Sequence, residues 1–181
     1  FNEDYIKEKI RSFKPKIIGL SCVTPAINTG HKIAQWVKEV DESILTLIGG
    51  VHVTCMPSKT MEEFPCFDLG VLREAEEILP DIISAHDNGK SLSGIPGTIY
   101  RENGGIVHAP PKKLPDVNLI PYPNRELLPA DWYSNQHASR GISRKFWNII
   151  EVDSARGCPY PCTFCNVEIT HGRSMRFRNP E

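Results

Sequence analysis

The chain has 181 residues, which is enough for one domain or for one domain and part of another. Its net charge of −1 provides no general attraction to nucleic acid or to anionic membranes, so neither is an expected partner. The sequence contains no long apolar run and no signal peptide, and we therefore expect a soluble cytoplasmic protein without a membrane span.

Helical and strand patterns alternate over the first half of the chain. Apolar residues at helical spacing predict amphipathic helices, and short apolar runs predict buried strands. In chain order, the predicted elements are a helix over 3–13, a strand over 16–24, a helix over 28–40, a strand over 44–48, a helix over 57–64, a strand over 67–72 and a helix over 77–87. This order predicts an α/β fold with a parallel sheet and helices on both faces, a doubly wound, Rossmann-like arrangement. Because the pattern begins within a helix, we expect the first strand of the fold to be missing.

Three loops follow the predicted strands, at residues 21–28, 49–55 and 73–76. In open α/β sheets, ligands bind outside the carboxyl ends of the strands, so these loops form the candidate binding edge. None of them contains the G-x-G-x-x-G turn, which argues against a dinucleotide.

The pattern changes in the second half of the chain. Residues 97–101 and 106–108 flank Asn103-Gly104 and predict a hairpin. Prolines then predict a stiff, extended connector, followed by a short helix within 125–133. Alternating side chains predict a strand over 148–154.

A group of three cysteines follows that strand. Cys158, Cys162 and Cys165 have the spacing C-x3-C-x2-C, with Phe164 just before the last. Thiolates so close together are typical ligands of iron–sulfur clusters or zinc. Three thiolates can hold a [4Fe–4S] cluster with one iron left open, whereas structural zinc requires four protein ligands. The alternatives are a zinc knuckle completed by His171 and a turn without a metal.

At these residues the chain resembles the radical SAM superfamily, whose signature is C-x3-C-x-aromatic-C. The resemblance implies that Cys158, Cys162 and Cys165 bind a [4Fe–4S] cluster, and that Phe164 packs beside the cluster and the adenine of S-adenosylmethionine. It further implies a 5′-deoxyadenosyl radical as the reactive species and an electron donor such as flavodoxin or ferredoxin. The strand before the cysteines would then be the first strand of a (β/α) barrel.

The loops of the first half resemble the cobalamin-binding domain that precedes the barrel in B12-dependent radical SAM enzymes. The matching stretches are Gly19-Leu20-Ser21 with Thr24, Ile48-Gly49-Gly50-Val51-His52-Val53-Thr54, and Arg73-Glu74-Ala75-Glu76. The resemblance implies that cobalamin lies against Ser21, Thr24, Gly49, Gly50, His52 and Glu74. Paired glycines would let the backbone approach a large flat macrocycle, and small hydroxyls could hydrogen-bond its polar arms.

The match to that domain has departures. Val51 stands where proline is usual, and Arg73 and Ala75 replace two glycines, which puts the contact of the third loop with the cofactor in doubt. The D-x-H-x-x-G motif that supplies a cobalt ligand in the methionine-synthase type is absent. His52 is therefore either a loop histidine beside the corrin or a cobalt ligand. A Rossmann-like fold that has lost its cofactor and a flavodoxin-like module remain alternatives for the whole domain.

Together these features predict a Rossmann-like cobalamin-binding domain over 1–109, a proline-rich linker over 110–146 and the beginning of a truncated radical SAM barrel over 147–181. The expected reaction is methyl transfer to an unactivated carbon of a small-molecule substrate. Two alternatives are oxidative cyclisation or rearrangement, and a non-enzymatic cobalamin-binding module with a zinc site. We expect these residues alone to be inactive, since substrate residues would lie on later barrel strands.

A basic group, Arg173, Arg176 and Arg178, either favours an anionic ligand or is a solvated face. His137 and His171 are expected to be surface residues.

Overall fold

The computed structural model describes residues 2–127 and 152–180. Its helices and strands, numbered in chain order, are α1 (Glu3–Phe13), β1 (Ile17–Ser21), α2 (Ile27–Val40), β2 (Leu45–Gly49), α3 (Val51–Cys55), α4 (Pro57–Glu63), β3 (Leu69–Val71), α5 (Ile78–Asp87), β4 (Thr98–Glu102), β5 (Gly105–His108), β6 (Ala155–Arg156), α6 (Val167–His171) and β7 (Arg176–Phe177). Short 3-10 turns occupy Thr24–Ala26 and Arg125–Leu127. No helix in the described ranges is long and apolar enough to cross a lipid bilayer.

Five strands form one mixed sheet in the order β1-β2-β3-β4-β5. The first three strands are parallel, as their connection by helices requires. The predicted hairpin is β4 and β5, which extends the same sheet in the antiparallel sense. The α/β fold class is therefore confirmed, with a parallel half that carries the candidate binding edge.

The two faces of the sheet are covered by different helices. Alternation along β2 sends Ile48 into a core cluster with Val53, Met61 and Phe67, on the face that α2, α3 and α4 cover. On the opposite face, Leu47 belongs to a cluster that α5 covers. Helices on both faces were predicted, and the structure confirms them.

Local sequence explains where α1 begins and ends. The side chain of Asn2 caps the helix by accepting a hydrogen bond from the backbone N–H of Tyr5 at 3.2 Å. Lys14 adopts a left-handed conformation with φ of 50°, and Pro15 follows it, so the helix cannot continue.

Two predicted segments differ from the structure. Residues 51–55 were expected to be a loop, but they form α3, because Gly50 turns the chain sharply enough for a helix to begin directly after β2. The strand expected over 148–154 is not found in its described part: Val152 to Ser154 are irregular, and β6 begins at Ala155. Backbone pairing with β7, rather than side-chain alternation, determines where this strand lies.

Some predictions concern residues outside the described ranges. Positions 148–151 of the expected strand, positions 128–133 of the helix expected within 125–133, and His137 all fall there. The described beginning of that helix is the 3-10 turn at Arg125–Leu127.

Candidate functional site

The carboxyl ends of β1 and β2 bring several predicted residues together. Ser21 pairs with Gly49 at the ends of the two strands. The backbone N–H of Cys22 donates to the carbonyl of Gly49 at 3.0 Å, and the carbonyl of Cys22 accepts from the N–H of His52 at 3.1 Å. The first two predicted loops therefore form one continuous hydrogen-bonded edge.

The two glycines at this edge have different roles. Gly50 has φ of 90° and ψ of −170°, and a Cβ there would lie 2.8 Å from the Ser21 hydroxyl and 2.9 Å from the backbone of Cys22. The turn into α3 therefore requires glycine at this position. At Gly49, a Cβ would approach nothing closer than the carbonyl of Val71, at 4.0 Å. The protein itself does not require glycine at position 49, and the open space there fits the close approach of an external ligand.

His52 faces inward rather than toward solvent. Its residue is 6% exposed, its Nδ1 lies 3.2 Å from the hydroxyl of Thr24, and its ring packs edge-on against Phe64. Burial lowers the pKa of the imidazole, so the ring is held neutral. The His52 ring is too enclosed to reach a cobalt ion readily. Its contacts favour a structural role, in which it supports the carboxyl edge of the sheet.

Arg73 occupies the third loop in an unusual backbone conformation. Its φ is 66°, in the left-handed region where glycine is favoured. Its backbone N–H donates to the hydroxyl of Thr54 at 2.9 Å, and that hydroxyl donates to the carbonyl of Gly50 at 2.8 Å. Its guanidinium donates to the carbonyls of Ile169 at 2.9 Å and Glu168 at 3.4 Å, in the last turn of α6. Arg73 thus connects the second loop with the chain that follows the cysteines.

Glu74 is the centre of a buried ion-pair cluster. Its side chain is 2% exposed. One carboxylate oxygen accepts from His171 Nδ1 at 2.8 Å and from Arg176, and the other accepts from Arg156 at 2.9 Å and from Arg176 at 3.0 Å. Both oxygens are therefore occupied by protein groups, and a contact of Glu74 with cobalamin stays a prediction.

The charge of this carboxylate is strongly stabilised. Burial alone raises the pKa of Glu74, but the hydrogen bonds from Arg176, His171 and Arg156 outweigh burial and lower the pKa to about 2. Because the carboxylate stays ionised, its ion pairs with Arg156 and Arg176 persist through the physiological pH range.

Residues 152–180, here called the cysteine segment, form a closed ribbon. Strands β6 and β7 pair antiparallel, and the N–H of Cys158 donates to the carbonyl of Gly172 at 3.1 Å. Gly157 has φ of 93°, and a Cβ there would collide with the carbonyl of Ser174. A glycine directly before the first cysteine is therefore required for the ribbon to close.

The cysteines lie on the loop that this ribbon closes. Cys158 is half-buried, Cys162 and Cys165 are exposed, and none forms a disulfide. Phe164 is 92% exposed. Within residues 2–127 and 152–180, no three His, Cys, Asp or Glu side chains are arranged to hold a metal ion, so the thiols share a loop without converging. As a donor set, three free thiols on one short loop fit a [4Fe–4S] cluster.

The basic group at the end of the chain is not a free anion site. Arg173 pairs with the carboxylate of Glu168 at 2.6 Å. Arg178 donates to the carbonyl of Ile120 at 2.8 Å and stacks over the ring of Tyr122 at 4.6 Å. Arg176 belongs to the ion-pair cluster around Glu74. Arg173 is therefore a solvated surface cation, as one alternative expected, whereas the other two arginines are engaged within the fold.

Sequence reasoning missed the ion-pair cluster as a unit. Arg156 had no predicted role, and His171 was expected to be a surface residue, whereas it is half-buried against Glu74. A signal was present, since Arg156 directly precedes the Gly-Cys of the motif and Glu74 directly follows a parallel strand. Their contact spans 82 positions of sequence, and local patterns do not encode a pairing at that distance.

Comparison with known proteins found one matching domain family and several named relatives. Residues 1–83 match the family model described as the B12 binding domain. An uncharacterized methyltransferase of Pyrococcus horikoshii is 34% identical over 97% of the chain and 37% of its own length. The anaerobic magnesium-protoporphyrin IX monomethyl ester cyclase of Rubrivivax gelatinosus is 30% identical over 99% of the chain and 32% of its own length. The chain thus spans about a third of the length of these relatives.

Among solved structures, the cobalamin-dependent S-adenosylmethionine radical enzyme OxsB, with aqua-cobalamin and S-adenosylmethionine bound, has a similar fold. The TM-score is 0.75 at 22% identity, over 98% of this chain and 23% of that one. The likeness extends through the cysteine segment as well as the sheet, and it supports the α/β fold described here.

Proposed function

We propose that this chain combines a B12-binding domain, matched over residues 1–83, with the cysteine segment of a radical SAM enzyme, and that the protein transfers a methyl group to an unactivated carbon of a small molecule. One observation supports the proposal most strongly: the cysteine segment packs on the same edge of the sheet as the predicted corrin-binding loops. Helix α6 of that segment contacts α3, which begins directly after Gly50. The segment that carries the predicted cluster ligands therefore contacts the helix that follows the predicted corrin-binding edge.

The residues at the sheet edge fit a corrin. Gly49 leaves open space above the ends of the strands, and the hydroxyls of Ser21 and Thr24 belong to exposed residues that can hydrogen-bond polar arms. Gly50 forms the turn below this surface, and buried His52 packs beneath Thr24. We therefore assign direct contact with cobalamin to Ser21, Thr24 and Gly49, and a supporting role to the other two.

The cysteine loop fits the cluster and S-adenosylmethionine. Cys158, Cys162 and Cys165 would hold the cluster, and exposed Phe164 would cover the adenine. When bound, the cluster supplies an electron that cleaves S-adenosylmethionine, and cobalamin supplies the methyl group. The protein would hold the cluster, S-adenosylmethionine and cobalamin at one edge of a rigid sheet and thereby fix their orientation relative to one another.

The substrate is proposed to be a small molecule. A cavity of about 630 Å³ lies between the third loop and the cysteine segment, lined by Glu76, Leu79, Asp153, Arg156 and Gly157 among others. That volume is within the range of small-molecule sites, about 300–1,000 Å³. Reduction of the cluster requires a one-electron donor, for which we propose a flavodoxin or ferredoxin in the cytoplasm.

Oxidative cyclisation is the second candidate, because the relative from Rubrivivax gelatinosus is named a cyclase. The two reactions differ in their products from S-adenosylmethionine. Each methyl group transferred leaves one S-adenosylhomocysteine, and each hydrogen abstracted leaves one 5′-deoxyadenosine. Cyclisation abstracts hydrogen without using the methyl group.

The test uses protein expressed from its complete reading frame, loaded anaerobically and incubated with reductant, S-adenosylmethionine and a metabolite extract of its own cells. Methyl transfer predicts that the extract stimulates both products in about equal amounts. Stimulation of 5′-deoxyadenosine alone supports the cyclase. Formation of neither product contradicts both candidates.

A further inference from the structure

The third loop holds the cysteine segment through two adjacent residues of opposite charge. Arg73 binds the carbonyls of Ile169 and Glu168, and Glu74 binds Arg156, His171 and Arg176. These partners lie on both sides of the cysteine loop in sequence. The segment is therefore held to the sheet before its first cysteine and after its last one.

The side chain of Arg73 donates hydrogen bonds to backbone carbonyls in the last turn of α6. The last carbonyls of any helix lack partners within the helix, and cationic side chains stabilise them. Helix α6 has only five residues, and the carbonyl of Glu168 already accepts from the N–H of Gly172 at 3.0 Å, so the carbonyl of Ile169 is the one that gains most from an outside donor. The guanidinium, with several donors in a fixed plane, bonds the carbonyl of Ile169 at 2.9 Å and adds a second, longer bond to the carbonyl of Glu168 at 3.4 Å.

The backbone of Arg73 indicates that its side chain matters. A residue with φ of 66° is strained unless it is glycine, and such strain persists only where the surroundings compensate for it. Glycine would relieve that strain and would keep the bond from the residue 73 amide to Thr54. The guanidinium bonds to α6 are what glycine would lose.

Glu74 completes the attachment from within the fold. It is a carboxylate buried on the sheet side, and its partners, two arginines and His171, all belong to the cysteine segment. Removing one member of such a cluster leaves buried charges without partners, which is unfavourable. The ion pairs of Glu74 therefore stabilise one particular position of the cysteine segment against the sheet.

We propose that Arg73 and Glu74 are positioning residues that seat the cysteine segment on the carboxyl edge of the sheet and fix the distance from the cysteine loop to the Gly49 surface. The proposal rests on the proposed function for its biological meaning, because that distance is the separation of the two cofactors. The attachment itself exists without any cofactor and can be measured separately.

The first experiment measures amide hydrogen exchange in cofactor-free protein from the complete reading frame. Arg73→Gly and Glu74→Gln are each expected to accelerate exchange of 154–178 at least about tenfold, with exchange of 17–49 unchanged, because local opening affects only the detached unit. Arg73→Lys, which keeps the charge and one donor group, is expected to restore part of the protection. Unchanged exchange in Arg73→Gly and Glu74→Gln would overturn the proposal.

Two variants serve as matched controls. Asn103→Gly also places glycine at a left-handed position, with φ of 50°, but in the distant β4–β5 turn. Glu168→Gln also removes a carboxylate, but one whose pair with Arg173 lies within the segment. Both are expected to leave exchange of the cysteine segment as in the wild type. Equal acceleration in a control would show that glycine or charge loss in general is responsible, and would overturn the assignment.

The second experiment measures the magnetic interaction between cob(II)alamin and the reduced cluster by electron paramagnetic resonance in the loaded protein. In Arg73→Gly and Glu74→Gln we expect normal cofactor content with a weaker and more widely distributed interaction. An interaction identical to the wild type would contradict a positioning role. If the wild type binds neither cofactor, the proposed function fails, and the hydrogen-exchange comparison still decides whether the attachment exists.

Discussion

The sheet and the cysteine segment are stabilised by different interactions. The sheet has core clusters of apolar side chains on its faces, and residues such as Val37, Phe67 and Ile82 are fully buried. The cysteine segment exposes its aromatic side chains, Tyr160, Phe164 and Phe177, and attaches through ion pairs and backbone hydrogen bonds. The comparison teaches that the sheet can fold around its own core, whereas the segment depends on the sheet for its position.

The largest expected effect tests the apolar half of this comparison. Phe67→Ala removes a fully buried ring that packs among Ile48, Val53 and Met61. We expect a loss of about 3–5 kcal/mol in the free energy of unfolding. Denaturant unfolding followed by circular dichroism measures it. Phe13→Ala, at a ring that is 82% exposed, is the control and should change stability by less than about 0.5 kcal/mol. Equal losses in the two variants would show that this core does not dominate stability.

A smaller effect is expected at the turn that forms the binding edge. Gly50→Ala places a Cβ against Ser21 and Cys22 in a conformation that suits only glycine. Backbone strain of this type costs about 1–3 kcal/mol, so a matching loss of stability is expected in denaturant unfolding. An alanine tolerated without loss would mean that the turn between β2 and α3 adapts.

Acid is expected to release the cysteine segment before the sheet. The pKa of Glu74 is about 2 in the folded chain, below its ordinary value of 4.5. A carboxyl with a depressed pKa stabilises the fold above its unfolded pKa, and this contribution is lost as the pH falls through the folded value. Backbone NMR signals of 154–178 should therefore shift between about pH 5 and pH 2 while those of β2 persist.

The variant Glu74→Gln provides the control for that titration. In this variant the cysteine segment should be detached from the sheet at every pH, and the signals of 154–178 should show no transition between about pH 5 and pH 2. Loss of sheet and segment signals together at one pH in the wild type would contradict separate stabilisation.

The smallest effect on stability is expected at Gly49, where the effect on ligand binding should be clear. Gly49→Ala meets no atom closer than 4.0 Å, so stability should stay within about 0.5 kcal/mol. A methyl group on the surface that faces the corrin should weaken hydroxocobalamin binding by at least about tenfold, a difference of about 1.4 kcal/mol. Spectrophotometric titration measures it. Unchanged affinity would place the corrin elsewhere.

Local sequence patterns were sufficient to predict much of the fold. The helix over Glu3–Phe13, the first three strands and the β4–β5 hairpin all follow from spacing and turn residues, and the structure confirms them. The resemblance to B12-dependent radical SAM enzymes is confirmed by the comparisons. The proximity of the first two loops was predictable because the carboxyl ends of neighbouring parallel strands necessarily adjoin.

Other features could not be predicted from local patterns. Helix α3 was missed because its five residues are too few to show a helical period, and its start depends on the conformation of Gly50. The Glu74 cluster was missed because its members are distant in sequence and meet only after the segment folds back onto the sheet. The strand expected before the cysteines was displaced because its pairing partner, Arg176–Phe177, lies beyond them.

The central claim is that one edge of this sheet adjoins both a corrin and a cluster held by three thiolates. It is tested most directly by the iron, sulfide and cobalt content of protein expressed from its complete reading frame and purified anaerobically, beside the variant Cys158→Ala. We predict about four irons and four sulfides with about one corrin in the wild type, and loss of iron with retention of the corrin in the variant. A single zinc in place of iron, with no corrin retained, would contradict the claim.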